Sequence, residues 1–445
     1  MTKCESKTRT EDKARRLREE AGKLRERAEA MEKEANSLEA PQKCKEAADM
    51  IAKRKGKIAV FLGAGASRTF GRPLTGELLP IILNGLMNQN LFEEVNLFEE
   101  NRLREKEHLF EGRGINTEDE NRVDRALLQE ALIALCPGLE LKSKFLEENK
   151  NKLPLVTSLL SILDYSLASS QALISGLTPE RIKDATVLLE RAVYEAIEHK
   201  KEDAGQIYWL PRKHNDLNKV LVAWLESLRS SESDLAFITS NYDCAVEQAW
   251  DLESRTLPEI ACMSMDVGFE WTWPHGGSAE MIPRPEKPQR RLYKLHGSTN
   301  WLRCGLCDRI YINPQVAIAV FAYKRKVSDD NTCHCGHKKL EVQIVSPSFV
   351  REMLAPNLIS VWQSALNWLR DADDWIVIGY SFPDEDLNIR SLFTRALASR
   401  EDPPYVTAIQ LGSNESTRVR YESFFPRGQL TFLTSGLEEF LKCTS

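Results

Sequence analysis

Short apolar runs alternate with helical patterns in the two end portions of the chain. The runs Lys57–Leu62, Leu235–Thr239 and Arg291–Leu295 are each followed by polar or glycine-rich residues, which predicts buried strands. Further runs of the same kind are Val342–Val345, Trp375–Ile378, Val406–Leu411 and Leu430–Leu433. Helical patterns lie between several of them, notably over 357–372. The alternation predicts an α/β fold with a Rossmann-like, doubly wound parallel sheet, which binds ligands beyond the carboxyl ends of its strands.

Residues 79–230 follow a different pattern. Apolar residues recur there at helical spacing, for example in VDRALLQEALIALC and DATVLLERAVYEAI. The region shows no confident strand and no catalytic motif. It is interpreted as a large helical insertion within an α/β domain that extends over 56–445.

The N-terminal residues 1–55 are charged and carry a seven-residue repeat. One seam of the repeat is Ala14, Ala21, Ala28 and Ala35, and the other is Leu17, Leu24, Met31 and Leu38. Four repeats of this a/d type predict a heptad helix that forms a coiled coil. Self-association, partner binding and packing of a lone helix on its own domain all fit the pattern.

Composition narrows the class of protein. The chain has 445 residues, of which 42% are hydrophobic and 28% charged, as in ordinary soluble domains. Its net charge of −6 argues against strong direct nucleic-acid binding, although a local basic patch is compatible with it. There is no apolar run of about 20 residues to span a membrane and no apolar leader. We therefore expect a cytoplasmic protein whose ten cysteines are not a disulfide framework.

The first motif is Gly63-Ala-Gly-Ala-Ser67, directly after the first predicted strand. Glycines allow a backbone to approach a pyrophosphate, and amides at a helix N-terminus stabilise its charge. The next helix is predicted to start near Pro73. A third glycine of the usual dinucleotide fingerprint is missing, so a tight strand-to-helix turn is the alternative interpretation.

Two further motifs follow the next strands. Ser240-Asn-Tyr-Asp243 contains Asn241 and Asp243, which also occur as plain turn formers. Lys294-Leu-His-Gly-Ser-Thr-Asn-Trp301 places His296 at a strand end, where it can face a cleft or be structural. Histidine is the side chain suited to act as a base near neutral pH.

The fourth motif, Ile378-Gly-Tyr-Ser-Phe-Pro-Asp-Glu-Asp386, ends a buried strand. Gly379 and Ser381 offer backbone and hydroxyl contacts to a ligand. The acidic residues Asp384 and Glu385 open the next helix and are also good helix caps.

A pair of cysteine clusters lies between the third and fourth motifs. Cys304-Gly-Leu-Cys307 and Cys333-His-Cys335 are separated by 25 residues, a spacing that predicts a structural zinc ribbon over 301–340. Because the second pair is Cys-x-Cys, His334 or His337 could replace one thiolate. Unliganded thiols are the remaining alternative.

The order GAGAS, TSNYD, KLHGS, cysteine pairs and VIGYS resembles the sirtuin superfamily. More narrowly, it is similar to the sirtuin-like NAD⁺ hydrolases of bacterial anti-phage defence. The resemblance covers 58–70 and 235–433 and implies an NAD⁺ site and a zinc module. It implies that the phosphate-cradling loop is Gly63, Ala64, Gly65, Ala66 and Ser67. It further implies that Asn241 lies beside the nicotinamide ribose, Asp243 holds the carboxamide, His296 is catalytic, and Gly379 and Ser381 contact the phosphate or ribose side.

Two departures separate the chain from protein-deacylating sirtuins. The residues after the first loop, Gly71-Arg-Pro-Leu-Thr75, lack the Phe-Arg pair that covers nicotinamide in deacylases. The segment that clamps the acyl-lysine peptide in deacylases reads Ile344-Val-Ser-Pro-Ser348 here. Both departures favour cleavage of NAD⁺ to nicotinamide and ADP-ribose over deacylation.

The resemblance also sets expectations for regulation and partners. A regulated NAD⁺ hydrolase in abortive anti-phage defence would act as a homo-oligomer or with a partner such as a DNA-translocating hexameric ATPase or another defence subunit. A protein deacylase or ADP-ribosyltransferase is the first alternative function. A non-catalytic nucleotide-binding assembly module is the second.

Overall fold

The computed structural model describes a chain of α-helices and β-strands over most of the sequence. The described residues are 42–69, 72–92, 118–149, 152–169, 177–198, 216–230, 233–251, 264–272, 281–312, 333–337, 340–344, 355–384, 386–412, 415–426 and 428–444. Within these ranges, no helix combines the length and the apolar character needed to cross a bilayer.

The strands occupy both halves of the chain, and most helices lie between them. The strands are Gly56–Leu62 (β1), Ser233–Thr239 (β2), Met265–Asp266 (β3), Trp271–Thr272 (β4), Met281–Ile282 (β5), Arg290–Lys294 (β6), Gly297–Cys304 (β7), Ile310–Ile312 (β8), Leu340–Ile344 (β9), Asp374–Ile378 (β10), Tyr405–Ile409 (β11) and Leu430–Leu433 (β12). The helices are 42–52 (α1), Ala64–Thr69 (α2), Thr75–Met87 (α3), Glu118–Leu135 (α4), Ser143–Asn149 (α5), Val156–Ser169 (α6), Pro179–Glu198 (α7), Asp216–Ser227 (α8), Ala245–Asp251 (α9), Pro356–Asp371 (α10), Leu387–Ala398 (α11), Glu415–Phe424 (α12) and Gly436–Lys442 (α13).

A seven-stranded sheet forms the centre of the molecule, in the order β12-β11-β10-β1-β2-β6-β3. Every neighbouring pair in it is parallel, which confirms the predicted parallel sheet. The strand order reverses at β1, because β2 pairs on one side of it and β10 on the other. Such a switch point opens a crevice beyond the carboxyl ends of the strands, where ligands bind in this class of fold.

A second sheet contains five strands in the order β5-β4-β8-β7-β9. In it β7 pairs antiparallel with both β8 and β9. Of the apolar run Val342–Val345, which was predicted to belong to the parallel sheet, the described residues 342–344 lie in β9 and therefore in this second sheet. Buried, half-buried and exposed residues are mixed along β9, whereas β10 is buried throughout.

The helices between β1 and β2 build a hydrophobic core of their own. Residues of α3, α4, α5, α6 and α7 form this helical core, and Tyr242, Val342 and Ile344 pack against it. The eighth helix, α8, differs from them, since Leu221 and Leu225 pack into the core of the parallel sheet. The helical content predicted for 79–230 is thus divided between two cores.

Helix α1 packs against the parallel sheet. Cys44, Ala47, Ala48 and Ile51 are all buried in the core of that sheet. The end of the predicted heptad segment is therefore part of the α/β core. The repeat positions from Ala14 to Leu38 lie outside the described residues.

We expect two N-terminal deletions to behave differently. Removing residues 1–41 keeps every described core residue in place, so it should lower the melting temperature less than the longer deletion. Removing residues 1–48 should cost roughly 2 kcal/mol or more, because three buried side chains of α1 leave the core. Thermal melting checks this difference, and light scattering on the shorter deletion tests whether the heptad segment drives assembly. An unchanged oligomer and unchanged partner binding would leave only the intramolecular packing interpretation.

Candidate active site

The four sequence motifs follow four strands that are adjacent in the sheet. In spatial order, Gly379 follows β10, Gly63 follows β1, Asn241 lies two residues beyond β2, and His296 lies two residues beyond β6. All four therefore lie at the carboxyl edge of the parallel sheet, around the switch point between β10 and β1. Residues more than 300 positions apart in sequence are brought to one crevice.

The glycine loop is held by close contact with the β10 loop. The N–H groups of Gly63 and Gly65 donate to the carbonyls of Ile378 and Gly379, at 2.9 and 2.8 Å. Gly379 has φ +63°, and a Cβ there would lie 2.0 Å from the backbone nitrogen of Ala66. These glycines therefore allow two loops to touch. Their predicted contacts with phosphate remain a prediction, and the two N–H groups already have internal partners.

The helix after this loop begins earlier than predicted. Helix α2 starts at Ala64, within the motif itself, and includes Ala66 and Ser67. The helix expected near Pro73 is the next one, α3, which starts at Thr75. A six-residue helix between two loops leaves too little periodic pattern to be recognised in a sequence.

Asn241 uses its side-chain amide to join two of the loops. Its Nδ2 donates to the Gly63 carbonyl at 2.9 Å and to the Ser67 hydroxyl at 2.8 Å. Both hydrogens of the amide are therefore used. Among the described residues no group donates to Oδ1, so this oxygen is left as an acceptor. Asn241 can thus orient a water or a hydroxyl by accepting from it, but it cannot donate without giving up one of these contacts.

Asp243 makes two internal contacts with its carboxylate. Its Oδ2 accepts from the Ser67 hydroxyl at 2.7 Å, and its Oδ1 accepts from the backbone N–H of Ala245 at 2.9 Å. The second contact caps the start of α9. The structure therefore shows a residue that orders the loop, and its contact with a carboxamide remains a prediction.

His296 is half-buried between two aromatic rings. Its ring centroid lies 6.0 Å from that of Tyr242 and 6.1 Å from that of Trp362. Burial lowers the pKa of His296, which the negative charge of Asp386 partly opposes. Burial also raises the pKa of Tyr242, assisted by the charges of Asp386 and Glu190. Near pH 7 the site therefore presents a neutral imidazole beside a neutral phenol.

The glycine after the histidine fits against β9. Gly297 has φ +82°, and a Cβ there would lie 2.1 Å from the Gln343 carbonyl. Gly297 is also paired with Ile344 in the second sheet. The position of His296 is thus set by both sheets.

The β10 motif contributes an exposed and a more protected group. Ser381 is exposed, and its carbonyl accepts from Arg420 Nε at 3.1 Å. Asp386 accepts from the Tyr380 hydroxyl at 2.8 Å and supplies the negative charge felt by His296. Asp384 forms an ion pair with Arg390 at 2.9 Å, while Glu385 lies outside the described residues. The predicted helix-capping role of Asp384 is thus replaced by a contact on α11.

Lys294 begins the motif that contains His296, and the sequence pattern predicts no role for it. Its side chain is 1% exposed, and its Nζ contacts the Glu247 carboxylate at 2.7 Å. Burial lowers the pKa of Lys294, but the charge and hydrogen bond of Glu247, together with the nearby Cys244 and Asp243, raise the pKa by more, so that the net shift is upward. A lysine within the otherwise apolar end of β6 was the available signal, since a buried lysine needs a partner.

The four predicted cysteine ligands come together. The sulfurs of Cys304, Cys307, Cys333 and Cys335 all lie within 4.8 Å of one another. The Cys304–Cys335 and Cys307–Cys333 sulfur distances are 3.6 and 3.5 Å. Thiolates on one tetrahedral zinc ion, each at about 2.3 Å, lie about 3.8 Å apart, so this cluster fits zinc. His334 instead places Nδ1 2.8 Å from the Tyr311 hydroxyl.

We expect one tightly bound zinc ion per chain, measured by elemental analysis. Cys304→Ser should lower both the zinc content and the melting temperature, since binding and folding are coupled at such sites. Cys136→Ser, which removes a half-buried thiol outside the cluster, is the control and should retain zinc. Purified protein without zinc, in which all four thiols titrate freely, would contradict the assignment.

Comparison with known families addresses the same region of the chain. Residues 235–425 match the family model described as SIR2-like domain. This part of the chain is similar to SIR2-like domains. The match includes Asn241, His296, the four cysteines and Gly379, whereas Gly63 to Ser67 precede it. The similarity indicates NAD⁺-dependent activity in general.

Solved structures of Sir2 proteins also match the chain, at low identity. One, from work on the mechanism and regulation of Sir2 enzymes, is 12% identical, with 91% of this chain and 97% of that chain covered and a TM-score of 0.33. A serine-to-alanine variant of a Sir2 homologue with ADP-ribose is 13% identical, with coverages of 90% and 95% and a TM-score of 0.36. Sir2 with a p53 peptide and NAD⁺ is 13% identical, with coverages of 88% and 93% and a TM-score of 0.33. A search of curated proteins found no significant match.

Proposed function

We propose that the protein is an NAD⁺ glycohydrolase that cleaves NAD⁺ to nicotinamide and ADP-ribose. The observation that carries the proposal is the arrangement of Asn241 and His296 at the crevice of the SIR2-like domain. Asn241 is locked by two donor contacts with an acceptor oxygen left over, and His296 is a base with a lowered pKa. Water attack on a ribosyl centre requires one oriented nucleophile and one proton acceptor.

Each residue has a distinct part in the proposed reaction. Loss of nicotinamide leaves a cationic, oxocarbenium-like ribose, which water attacks. Asn241 Oδ1 accepts a hydrogen bond from the water or from a ribose hydroxyl and thereby orients it. His296 takes up a proton as the new C–O bond forms. Gly63 to Ser67 and the Gly379–Ser381 loop would hold the phosphates and the adenosine side.

The helical core supports hydrolysis over protein deacylation. The resemblance places the peptide clamp of deacylases in the segment that starts at Ile344. Here Val342 and Ile344 of β9 pack against the helical core, together with Tyr242 from the Asn241 loop. The side chains of Val342 and Ile344 that pack on the helical core are to that extent withdrawn from a peptide substrate, whereas water and NAD⁺ need no such surface.

Control by assembly is part of the proposal. An enzyme that drains NAD⁺ would harm its own cell if it were always active, which fits an effector of anti-phage defence. Since Tyr242 contacts both the helical core and His296, a partner or second copy bound to those helices could act on the site. We infer that the heptad segment supplies the assembly, as a homo-oligomer or with a defence-system subunit.

An NAD⁺ turnover assay with resolved products tests the function. The full chain should release nicotinamide and ADP-ribose in equal amounts, without an acetylated peptide and with or without candidate partners. Turnover that requires an acyl-peptide, and forms an acylated ADP-ribose, would replace the proposal with deacylation. NAD⁺ binding without any product would favour the non-catalytic alternative.

A further inference from the structure

The ammonium group of Lys294 makes three hydrogen bonds in a buried setting. Its Nζ donates to the Asp243 carbonyl at 2.6 Å, to the Ser298 hydroxyl at 2.6 Å and to Glu247 Oε1 at 2.7 Å. An ammonium group has three hydrogens, so its donor capacity is fully used. None of these contacts belongs to the regular pairing of a strand.

The first two partners lie on the two loops that carry the site. Asp243 ends the motif that contains Asn241, and Ser298 lies two residues after His296. Further contacts join the same loops, because the Ser298 hydroxyl and the Thr299 N–H both donate to the Tyr242 carbonyl, at 3.2 and 2.9 Å. Lys294 thus stands at the junction of the two loops.

The third partner anchors the lysine from α9. Glu247 is 4% exposed, and its Oε1 accepts from Lys294 and, more weakly, from the Asn300 amide at 3.4 Å. Its Oε2 has no hydrogen-bond partner among the described residues. Loss of Lys294 alone would leave a buried carboxylate without its main partner, so a single substitution tests stability as much as position.

We propose that Lys294 is a positioning residue that fixes the Asn241 loop relative to the His296 loop. The inference rests on the proposed function, in which Asn241 and His296 act on the same ribosyl centre. It assigns Glu247 the separate task of holding the ammonium in place. Displacement of one loop by about 1 Å should reduce turnover by up to a hundredfold, because both groups must be aligned together.

Three variants separate positioning from simple stabilisation. Lys294→Met with Glu247→Met removes the pair without leaving a buried charge. Glu247→Gln alone removes the counter-charge and should lower the melting temperature, but it keeps an oxygen acceptor for Lys294 and should retain both loops in place. Leu441→Ala is the control for stability. It removes a buried side chain of α13 and should lower the melting temperature without changing either loop.

Three quantities are measured on each full-length variant below its melting temperature, namely kcat, the NAD⁺ Kd and hydrogen exchange. The double variant should lose at least about tenfold in kcat while its NAD⁺ Kd changes about threefold or less, since the cofactor-holding loops are elsewhere. Hydrogen exchange should rise together over 239–245 and 294–300. In Glu247→Gln and in Leu441→Ala, kcat, the NAD⁺ Kd and hydrogen exchange in the two loops should all stay near the wild-type values.

The outcomes are distinguishable from those of the proposed function. A folded double variant with wild-type kcat and wild-type exchange in both loops overturns the inference. If the wild-type chain does not cleave NAD⁺, the proposed hydrolase fails. In that case hydrogen exchange alone tests the role of Lys294. Loss of protection in both loops of the double variant supports a junction at Lys294, and unchanged protection refutes it.

Discussion

His296→Ala should lower NAD⁺ turnover by about a hundredfold or more, the scale of a general base. The half-buried imidazole is the base in the proposed reaction, and its neutral form is favoured by burial. Because the pKa is lowered, the active deprotonated form persists below the ordinary histidine value of about 6.5. Wild-type kcat/KM should therefore stay level from pH 8 to below that value and fall only as His296 becomes protonated.

The control for this prediction is His337→Ala. His337 contributes its backbone carbonyl to the Cys333 N–H at 2.8 Å, and that contact survives the substitution. Its turnover and pH profile should match those of the wild type, whereas His296→Ala should lose the acid limb. If folded His296→Ala turns over NAD⁺ at the wild-type rate, the assignment of the base is wrong.

Asn241→Ala should depress turnover strongly while NAD⁺ affinity changes by about tenfold or less, ~1.4 kcal/mol. In the proposed reaction the oxygen of its amide acts where charge develops, so its loss should affect the transition state more than NAD⁺ binding. The variant should also melt earlier, because the Gly63 carbonyl and the Ser67 hydroxyl each lose a donor. Calorimetric binding, thermal melting and product analysis separate these effects.

A matched amide elsewhere provides the comparison. Asn149 Nδ2 donates to the Phe145 carbonyl at 3.0 Å in α5, far along the chain from the crevice motifs. Asn149→Ala should reduce stability with normal turnover per folded molecule. If Asn241→Ala behaves in the same way, Asn241 only shapes the loop.

The strands and the motif order could be predicted because both are local. Runs such as Lys57–Leu62 are apolar, short and followed by polar residues, and the structure forms strands there. The partner of each strand is not local, which is why β9 was placed in the wrong sheet. The pairing of β9 with β7 depends on contacts near the cysteine cluster and on the close approach of Gly297 to β9.

The roles of individual site residues were harder to predict than their presence. The spacing of the motifs indicated that Gly63, Asn241 and His296 would meet at one edge. It did not indicate that the Gly63 N–H donates to Ile378, or that both hydrogens of the Asn241 amide are used internally. Those contacts depend on side chains and carbonyls from distant strands, as do the three partners of Lys294.

The pairing of β1 affects how the protein is made. Its partners β2 and β10 begin about 180 and 320 residues later, while the helical core consists of segments contiguous in sequence. Contacts that are local in sequence form faster than distant ones. The helices can therefore pack during synthesis before β2 and β10 are available to pair with β1. The contact between Gly65 and Gly379 needs the last part of the chain. A nascent chain that ends before Gly379 therefore lacks one side of the crevice in which the proposed NAD⁺ cleavage would take place.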